Sequence, residues 1–310
     1  MEELRPASRG KSLELQRQVE SNDQRFFFYL EEVLDAVRCL NPSVSVTGGE
    51  PSKDPRLPRI LRVLRAWDGR KRTVTTNGSG LLDRREGERV IDWICGSGVE
   101  HLNISRAHPD NERNAGIMRY RDSLNIEGLR EVVRTTRDSG TRIRLSCVLL
   151  KNAIHSLEDV LTYLDFAARL GVENVIFRQL MKTDPRSVVP SDVVRYSNRQ
   201  RAHLEPLLDR IGEDVRFQFQ RQVMGYYYYV EVWKYENMDV VFEEADLAQL
   251  ERTKKTLPGV VQELVFHPNA KLASTWQSWD GVLGPPFSAG PAKAPSGVNS
   301  HYESPVSGGR

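Results

Sequence analysis

The chain reads as an α/β protein built on a parallel sheet, and three observations predict it. Short β-branched runs closed by turn residues alternate with amphipathic helical segments from Ser12 to Leu180. Within those runs apolar and polar residues alternate, as they do in a strand with one buried face. Polar and glycine-rich segments recur directly after the strands, at the end where ligands sit in parallel α/β folds.

The first helix is expected over Ser12–Cys39, with Phe27, Leu30, Val33, Leu34 and Val37 at helical spacing and Asn41-Pro42 as its stop. A strand Val44–Thr47, a helix Pro58–Trp67 and a strand Thr73–Thr76 follow. A helix Gly87–Cys95 leads to a strand Leu102–Ser105, and after a polar connection a helix Ile126–Asp138 leads to a strand Ile143–Leu149. The last unit is a helix Ser156–Leu170, ended by Gly171, and a strand Asn174–Leu180. Beyond Met181 the rhythm changes to a helix Asp192–Leu208 and the short runs Val215–Gln220, Tyr226–Trp233, Val240–Phe242 and Val261–Phe266. From Gly281 to Arg310 the chain is rich in Gly, Pro and Ser, the composition of a disordered tail.

Taking alternate residues, one face of the sheet reads Val44/Val46, Leu102/Ile104 and Ile143/Leu145/Cys147, suited to packing under helices. The opposite face reads Ser45/Thr47, Asn103/Ser105, Arg144/Ser146 and Arg178. A closed small barrel fills its interior with branched apolar side chains, and a doubly wound sheet buries both faces in apolar runs. A polar inner face suits instead a wide or incomplete barrel around a polar ligand.

Composition narrows the function. The net charge of +2 is the difference between 44 basic and 42 acidic residues spread along 310 positions, which argues against a nucleic-acid surface. No run of about 18 apolar residues and no basic, apolar leader occurs, so neither a membrane span nor a signal peptide is expected and the chain reads as cytoplasmic. Cys39, Cys95 and Cys147 are far apart, which excludes a disulfide framework and any CxxC or CxxxC metal spacing. His101, His108 and His155 are too scattered for a metal site.

The segment Val46-Thr47-Gly48-Gly49-Glu50-Pro51 follows a strand directly. Two glycines allow a tight turn close to a ligand, and a carboxylate after them has the charge for an amine rather than a phosphate. Alone, the segment is equally readable as a turn with a surface acid. In the same direction the next strands end in Thr75-Thr76-Asn77-Gly78, Leu102-Asn103-Ile104-Ser105-Arg106 and Ile176-Phe177-Arg178.

This ordered set resembles the radical S-adenosylmethionine (SAM) superfamily, a MoaA-like radical SAM core, over residues 12 to 181. The resemblance implies a partial (β/α)6 TIM-type barrel lacking the first strand at 1–185, with a small C-terminal α+β extension at 186–280 and the tail at 281–310. It implies that Gly48, Gly49 and Glu50 bind the methionine amine of SAM through backbone carbonyls and the carboxylate. Asn77 follows the third strand, Asn103 and Ser105 face ribose and carboxylate, Ser146 or Arg144 does so from the fifth strand, and Arg178 meets adenine or substrate.

The family also holds a [4Fe–4S] cluster on three cysteines of a CxxxCxxC loop, and those ligands are absent from this chain. Gly48 stands near the start, so a truncated chain is the expected reason, with a degenerate, cluster-free protein as the alternative. In intact form the family cleaves SAM reductively to a 5′-deoxyadenosyl radical that acts on an unidentified small-molecule or peptide substrate, with an external electron donor. Two other classes stay open: a cluster-free SAM-binding or partner protein, and a barrel enzyme using Glu50 as a general base. The catalytic residues are not assigned.

Overall fold

The computed structural model describes residues 18–284, apart from 68, 121, 182–191 and 258. The proposed start of the first helix at Ser12 and the tail beyond Gly284 lie outside the described residues. Helix α1 spans Asp23–Val37 and begins where the Asn22 side chain accepts a hydrogen bond from the Arg25 amide; residues 18–22, expected to be helical, are not. A single 3₁₀ turn, Arg38–Leu40, ends at Asn41 in the left-handed conformation, the stop that Asn41-Pro42 signals.

The elements then alternate, with an unexpected hairpin taking the start of the helix expected over Gly87–Cys95: β1 Ser43–Val46, α2 Leu57–Ala66, β2 Lys71–Thr76, a short hairpin of β3 Arg84–Arg85 and β4 Glu88–Arg89, α3 Val90–Gly96 and β5 His101–Ser105. The polar connection after β5 contains a helix the sequence pattern hides, α4 Asn111–Met118, whose apolar residues are too few to show a stripe. Then come α5 Ile126–Thr136, β6 Arg142–Leu149, α6 Leu157–Leu170 and β7 Asn174–Gln179. Helix α6 carries a capping box at Ser156 and Asp159 and ends on Gly171 at φ 78°.

The single helix expected over 192–208 is two, α7 Asp192–Gln200 and α8 Glu205–Glu213. The break is made by tertiary bonds: Arg201 bridges to Leu150, and the Arg201 guanidinium reaches the carbonyl of Leu180 and the side chains of Gln179 and Glu244. Next are β8 Phe217–Met224, β9 Tyr228–Tyr235, β10 Met238–Ala245 and α9 Leu247–Thr256, and last a small sheet of β11 Val265–Phe266, β12 Leu272–Ala273 and β13 Val282–Gly284. Val282–Gly284, expected to open the disordered tail, is therefore a strand paired to Leu272–Ala273.

One sheet of eight strands organises the chain, in the order β1-β2-β5-β6-β7-β10-β9-β8. Strands β1, β2, β5, β6, β7 and β10 run parallel, and β9 and β8 continue the sheet antiparallel. The sheet is open, with β1 and β8 as edges. It crosses the boundary expected at 185/186: the strands assigned to a separate extension are part of it, because β10 inserts beside β7 and stacks Phe242 on Phe177 at 5.4 Å. No described helix is long and apolar enough to cross a membrane.

The main core fills the space between the helices and the sheet face of Val74, Leu102, Ile104, Leu145, Cys147, Val175, Phe177, Val240 and Phe242. Helices α2, α3, α5, α6 and α8 supply Leu61, Ile94, Val132, Tyr163 and Ile211 to it. A second cluster joins α1 to α2 through Phe26, Phe27, Leu30 and Leu34 against Leu64 and Trp67, and the Trp67 indole donates to the Leu34 carbonyl at 3.0 Å.

Candidate functional site

Cross-strand partners share a sheet face, so the register decides which side chains meet. Thr75 pairs with Asn103 and Asn103 with Arg144; Ser105 pairs with Ser146 and Ser146 with Ile176; Val148 pairs with Arg178 and Arg178 with Glu243. The polar face read from the alternation is thus one continuous surface opposite the helices. Asn103 donates through Nδ2 to the Thr75 hydroxyl at 3.1 Å, Arg144 Nε donates to Asn174 Oδ1 at 2.5 Å, and Arg178 Nη1 donates to the Ser146 hydroxyl at 3.4 Å.

This face is incompletely satisfied. Four buried side-chain atoms among the described residues have no hydrogen-bond partner: Arg72 Nε, His101 Nδ1, Asn103 Oδ1 and Arg178 Nε. The last three belong to the polar face, where a ligand or water must complete them. Arg178 Nε lies 3.2 Å from Glu243 Oε1, close enough for an ion pair but not aligned as a hydrogen bond. Farther toward the amino end of the strands, His101 is 5% exposed, and burial, with Lys71, Arg144 and Arg142 around it, pushes its imidazole down to about 4. The neutral ring's Nε2 faces Arg142 Nη2 at 3.3 Å.

At the carboxyl end, the loop after β1 places Gly48 at φ 87° and Gly49 at φ 51°, conformations that favour glycine. A Cβ built on either would meet nothing within 4 Å, so this backbone stands open. Glu50 behaves differently from the expected amine ligand. It caps the 3₁₀ turn Pro51–Lys53, and its Oε1 accepts from the Ser52 amide at 3.0 Å, the Ser52 hydroxyl at 2.6 Å and the Thr76 hydroxyl. Its Oε2 accepts from the Asn77 amide at 2.7 Å.

Ser52, fully buried, passes the network on by accepting from the Gly80 amide at 2.9 Å, and Thr76 accepts from the Gly78 amide at 2.9 Å. The carboxylate therefore ties the loop after β1 to the turn after β2. Asn77 Oδ1 is used within that turn, accepting from the Ser79 amide.

Of the residues named from sequence, Asn103, Ser105, Ser146 and Arg178 share the polar face, and Gly48, Gly49 and Asn77 stand at the carboxyl ends of β1 and β2. Sequence reading missed Ser52, Thr75 and Glu243, which look like ordinary loop and strand polars until register brings them to their partners. It also missed what Arg106 does. At 2% exposure its guanidinium donates to the carbonyls of His108, Pro109 and Leu124 and to Asn111 Oδ1, which fixes the long loop after β5, and the Tyr163 hydroxyl donates to its own carbonyl at 2.8 Å. His108 in that loop accepts from the Asp110 amide through Nδ1 at 3.0 Å. His267 is buried in the β11–β12 hairpin, with Nε2 3.0 Å from the Thr275 carbonyl.

The thiols do not form a cluster site. Cys39 is exposed in the turn before β1, Cys95 is half-buried in α3, and Cys147 is buried on the apolar face of β6, where burial pushes its thiol far up. Among the described residues no group of three or more His, Cys, Asp or Glu could hold a metal ion. The donor set present does not fit a [4Fe–4S] cluster.

No family model matches the chain. A probable GTP 3′,8-cyclase from Metallosphaera sedula is 27% identical over 137 residues, which are 43% of this chain and 38% of the relative. The chain thus aligns with about two fifths of that relative's length. Among solved structures, Streptococcus suis SuiB bound to S-adenosylmethionine superposes with a TM-score of 0.40 at 16% identity, covering 60% of this chain and 40% of SuiB. A radical SAM methyltransferase from Sphaerobacter thermophilus gives 0.35 at 23% identity, covering 57% and 51%. An HMG-CoA lyase from Brucella melitensis gives the same 0.35 at 12% identity, covering 55% and 58%.

Proposed function

We propose that this chain, whose core is that of the radical SAM superfamily, binds S-adenosylmethionine at the carboxyl end of its sheet. The observation that carries the reading is Asn103: a side chain 8% exposed, in the middle of the polar face, whose Oδ1 has no partner. A buried acceptor left open is costly unless a donor arrives, and the ribose hydroxyls and the amine of SAM are donors. The backbone of Gly48 and Gly49 stands ready for the amine. Ser105, Ser146 and Arg178 line the same face for the ribose, carboxylate and adenine.

Reductive cleavage of SAM in this superfamily runs on a [4Fe–4S] cluster, and the described residues do not supply its ligands. The proposal is therefore one of ligand binding, in a partial barrel whose polar face is the lumen. A general-base reading of Glu50 is disfavoured by its geometry, since both carboxylate oxygens already accept from Ser52, Thr76 and Asn77.

Calorimetry with SAM in the absence of iron tests the reading. Asn103→Leu should weaken SAM about three- to tenfold, the worth of one hydrogen bond, without lowering the urea midpoint of the ligand-free chain. Absence of SAM binding to the parent chain, or equal affinity in the variant, overturns it.

A further inference from the structure

The run Tyr226-Tyr227-Tyr228 turns the chain from β8 into β9 and gathers its rings into one cluster. The Gly225 amide donates to the Tyr228 carbonyl at 2.8 Å, the Asp246 amide to the Tyr227 carbonyl at 2.8 Å, and the Thr253 hydroxyl of α9 to the Tyr226 carbonyl at 3.3 Å. Ring centroids lie 4.7 Å apart for Tyr226 and Tyr227, 5.6 Å for Tyr227 and Tyr228, and 6.2 Å for Tyr226 and Tyr228. Gly225 makes the packing possible, because a Cβ there would stand 2.3 Å from the Tyr228 ring. Tyr228 pairs with Ala245, the last residue of β10, and β10 runs parallel to β7, so the turn lies at the carboxyl end of the sheet.

A carboxylate stands against these rings. Glu263 accepts from the Tyr227 hydroxyl through Oε1 at 3.2 Å and from the Trp276 indole N–H through Oε2 at 3.0 Å. Glu263 precedes β11 and Trp276 follows β12, so segments distant in sequence converge on the turn. No cation pairs with Glu263 among the described residues. Burial, and after it Glu263, hold the Tyr226 and Tyr227 phenols above their usual range, so both rings stay neutral and the negative charge stays on the carboxylate. The tyrosines and Glu263 are half-buried, whereas Trp276 is 48% exposed, which leaves the cluster open on the indole side.

We propose that Tyr226, Tyr227, Trp276 and Glu263 bind the alkylammonium group of a small-molecule or peptide ligand. The faces of aromatic rings attract a cation, and a half-buried carboxylate among them adds a full negative charge with no cation of its own. Each oxygen of Glu263 accepts one hydrogen bond from the protein and has a lone pair left for an ammonium N–H. The apolar stem of the ligand would lie on the tyrosine and indole rings, and an anionic ligand would be repelled by the carboxylate. The proposal uses neither the glycine loop nor Asn103, so it is independent of SAM binding.

Butylammonium chloride is the probe, titrated into the full chain at constant ionic strength and followed by saturation-transfer NMR on the ligand. The expected result is saturable binding with a Kd on the order of 1–10 mM, the range that a few cation–π contacts and one charged hydrogen bond reach. Glu263→Gln and Trp276→Leu should each weaken it at least about fivefold. Glu31→Gln, which removes an exposed carboxylate from α1, should change it less than about twofold. Glu263→Gln keeps an acceptor for one of its two donors and Trp276 is exposed, so both variants are expected to fold, checked by their urea midpoints. A comparison with 1-butanol on the parent chain needs no variant, and the neutral alcohol should bind at least about fivefold more weakly. No saturable butylammonium binding, unchanged affinity in Glu263→Gln or Trp276→Leu, an equal loss in Glu31→Gln, or 1-butanol binding as tightly overturns the proposal.

Discussion

Replacing Glu50 with alanine should destabilise the ligand-free chain by about 2–4 kcal/mol, because the carboxylate is an internal tie before it is anything else. Its loss removes the acceptor for the Ser52 amide, the Ser52 hydroxyl, the Thr76 hydroxyl and the Asn77 amide. Ser52 and Thr76 are 0% and 2% exposed, so water replaces those bonds poorly on that side. Each buried donor left unsatisfied costs about 1–3 kcal/mol, and hydrogen bonds to a charged acceptor are the stronger kind. The Asn77 amide lies toward the half-exposed side, where water recovers part of the loss, which keeps the total below the sum of four such terms.

Glu50→Gln separates the internal tie from a direct amine contact. It keeps one carbonyl oxygen for Ser52 and Thr76 and turns an amide nitrogen toward the Asn77 N–H, an unfavourable pairing, so about 1–2 kcal/mol should be lost. Urea unfolding of the ligand-free parent and both variants measures this, and calorimetry with SAM follows. A destabilisation below about 0.5 kcal/mol in Glu50→Ala, inside the range of ordinary surface substitutions, would refute the tie. An unchanged urea midpoint with SAM affinity abolished would restore the carboxylate as a direct amine contact.

Two further outcomes follow from burial. His101 has a folded value of about 4, below its value of about 6.5 in the unfolded chain, so its contribution is present in full above pH 6.5 and is lost as pH falls toward 4. Between pH 7 and pH 5 the parent should lose about 1–2 kcal/mol more in urea unfolding than His101→Gln, and equal losses would show that the imidazole titrates normally. A thiol reagent at neutral pH should modify Cys39 first, Cys95 more slowly and Cys147 only on unfolding, since Cys39 is exposed and burial raises the other two thiols. Rapid modification of Cys147 in the folded chain, read by peptide mass, would contradict its burial.

The parallel frame was legible because each strand states its two faces locally. The pairs Val46/Val74, Leu102/Ile143 and Ile104/Leu145 fall on one face in the observed register, and Asn103/Arg144 and Ser105/Ser146 fall on the other. Caps were legible for the same reason, as Asn41 and Gly171 show. What local pattern does not state is which distant segment completes a surface. Strands β8, β9 and β10 form an antiparallel meander, yet it is the last of them that enters beside β7, and nothing in Met238–Ala245 announces a parallel partner. Arg178 was therefore readable as a polar lumen residue while its ion-pair partner Glu243 was not. The break between α7 and α8 has the same origin, since Arg201 leaves the helix to meet Leu150, Gln179 and Glu244.

In the Gly48-Gly49-Glu50-Pro51 segment, charge alone and the folded geometry give the acid different partners. Charge alone points to Glu50 as the group that meets an amine, because a carboxylate after two glycines has no visible partner in sequence. Folding supplies four donors from Ser52, Thr76 and Asn77 and turns the acid inward along the sheet edge. The glycines are the part that faces outward, since both have positive φ and neither has a neighbour within 4 Å of a built Cβ. The tie is what holds them there, because a loop with two glycines has the largest backbone entropy to lose and needs a fixed anchor on one side to keep its carbonyls in place. On the proposed SAM-binding reading, the acid positions the loop, the glycine backbone meets the ligand, and the open Oδ1 of Asn103 on the polar face accepts from it.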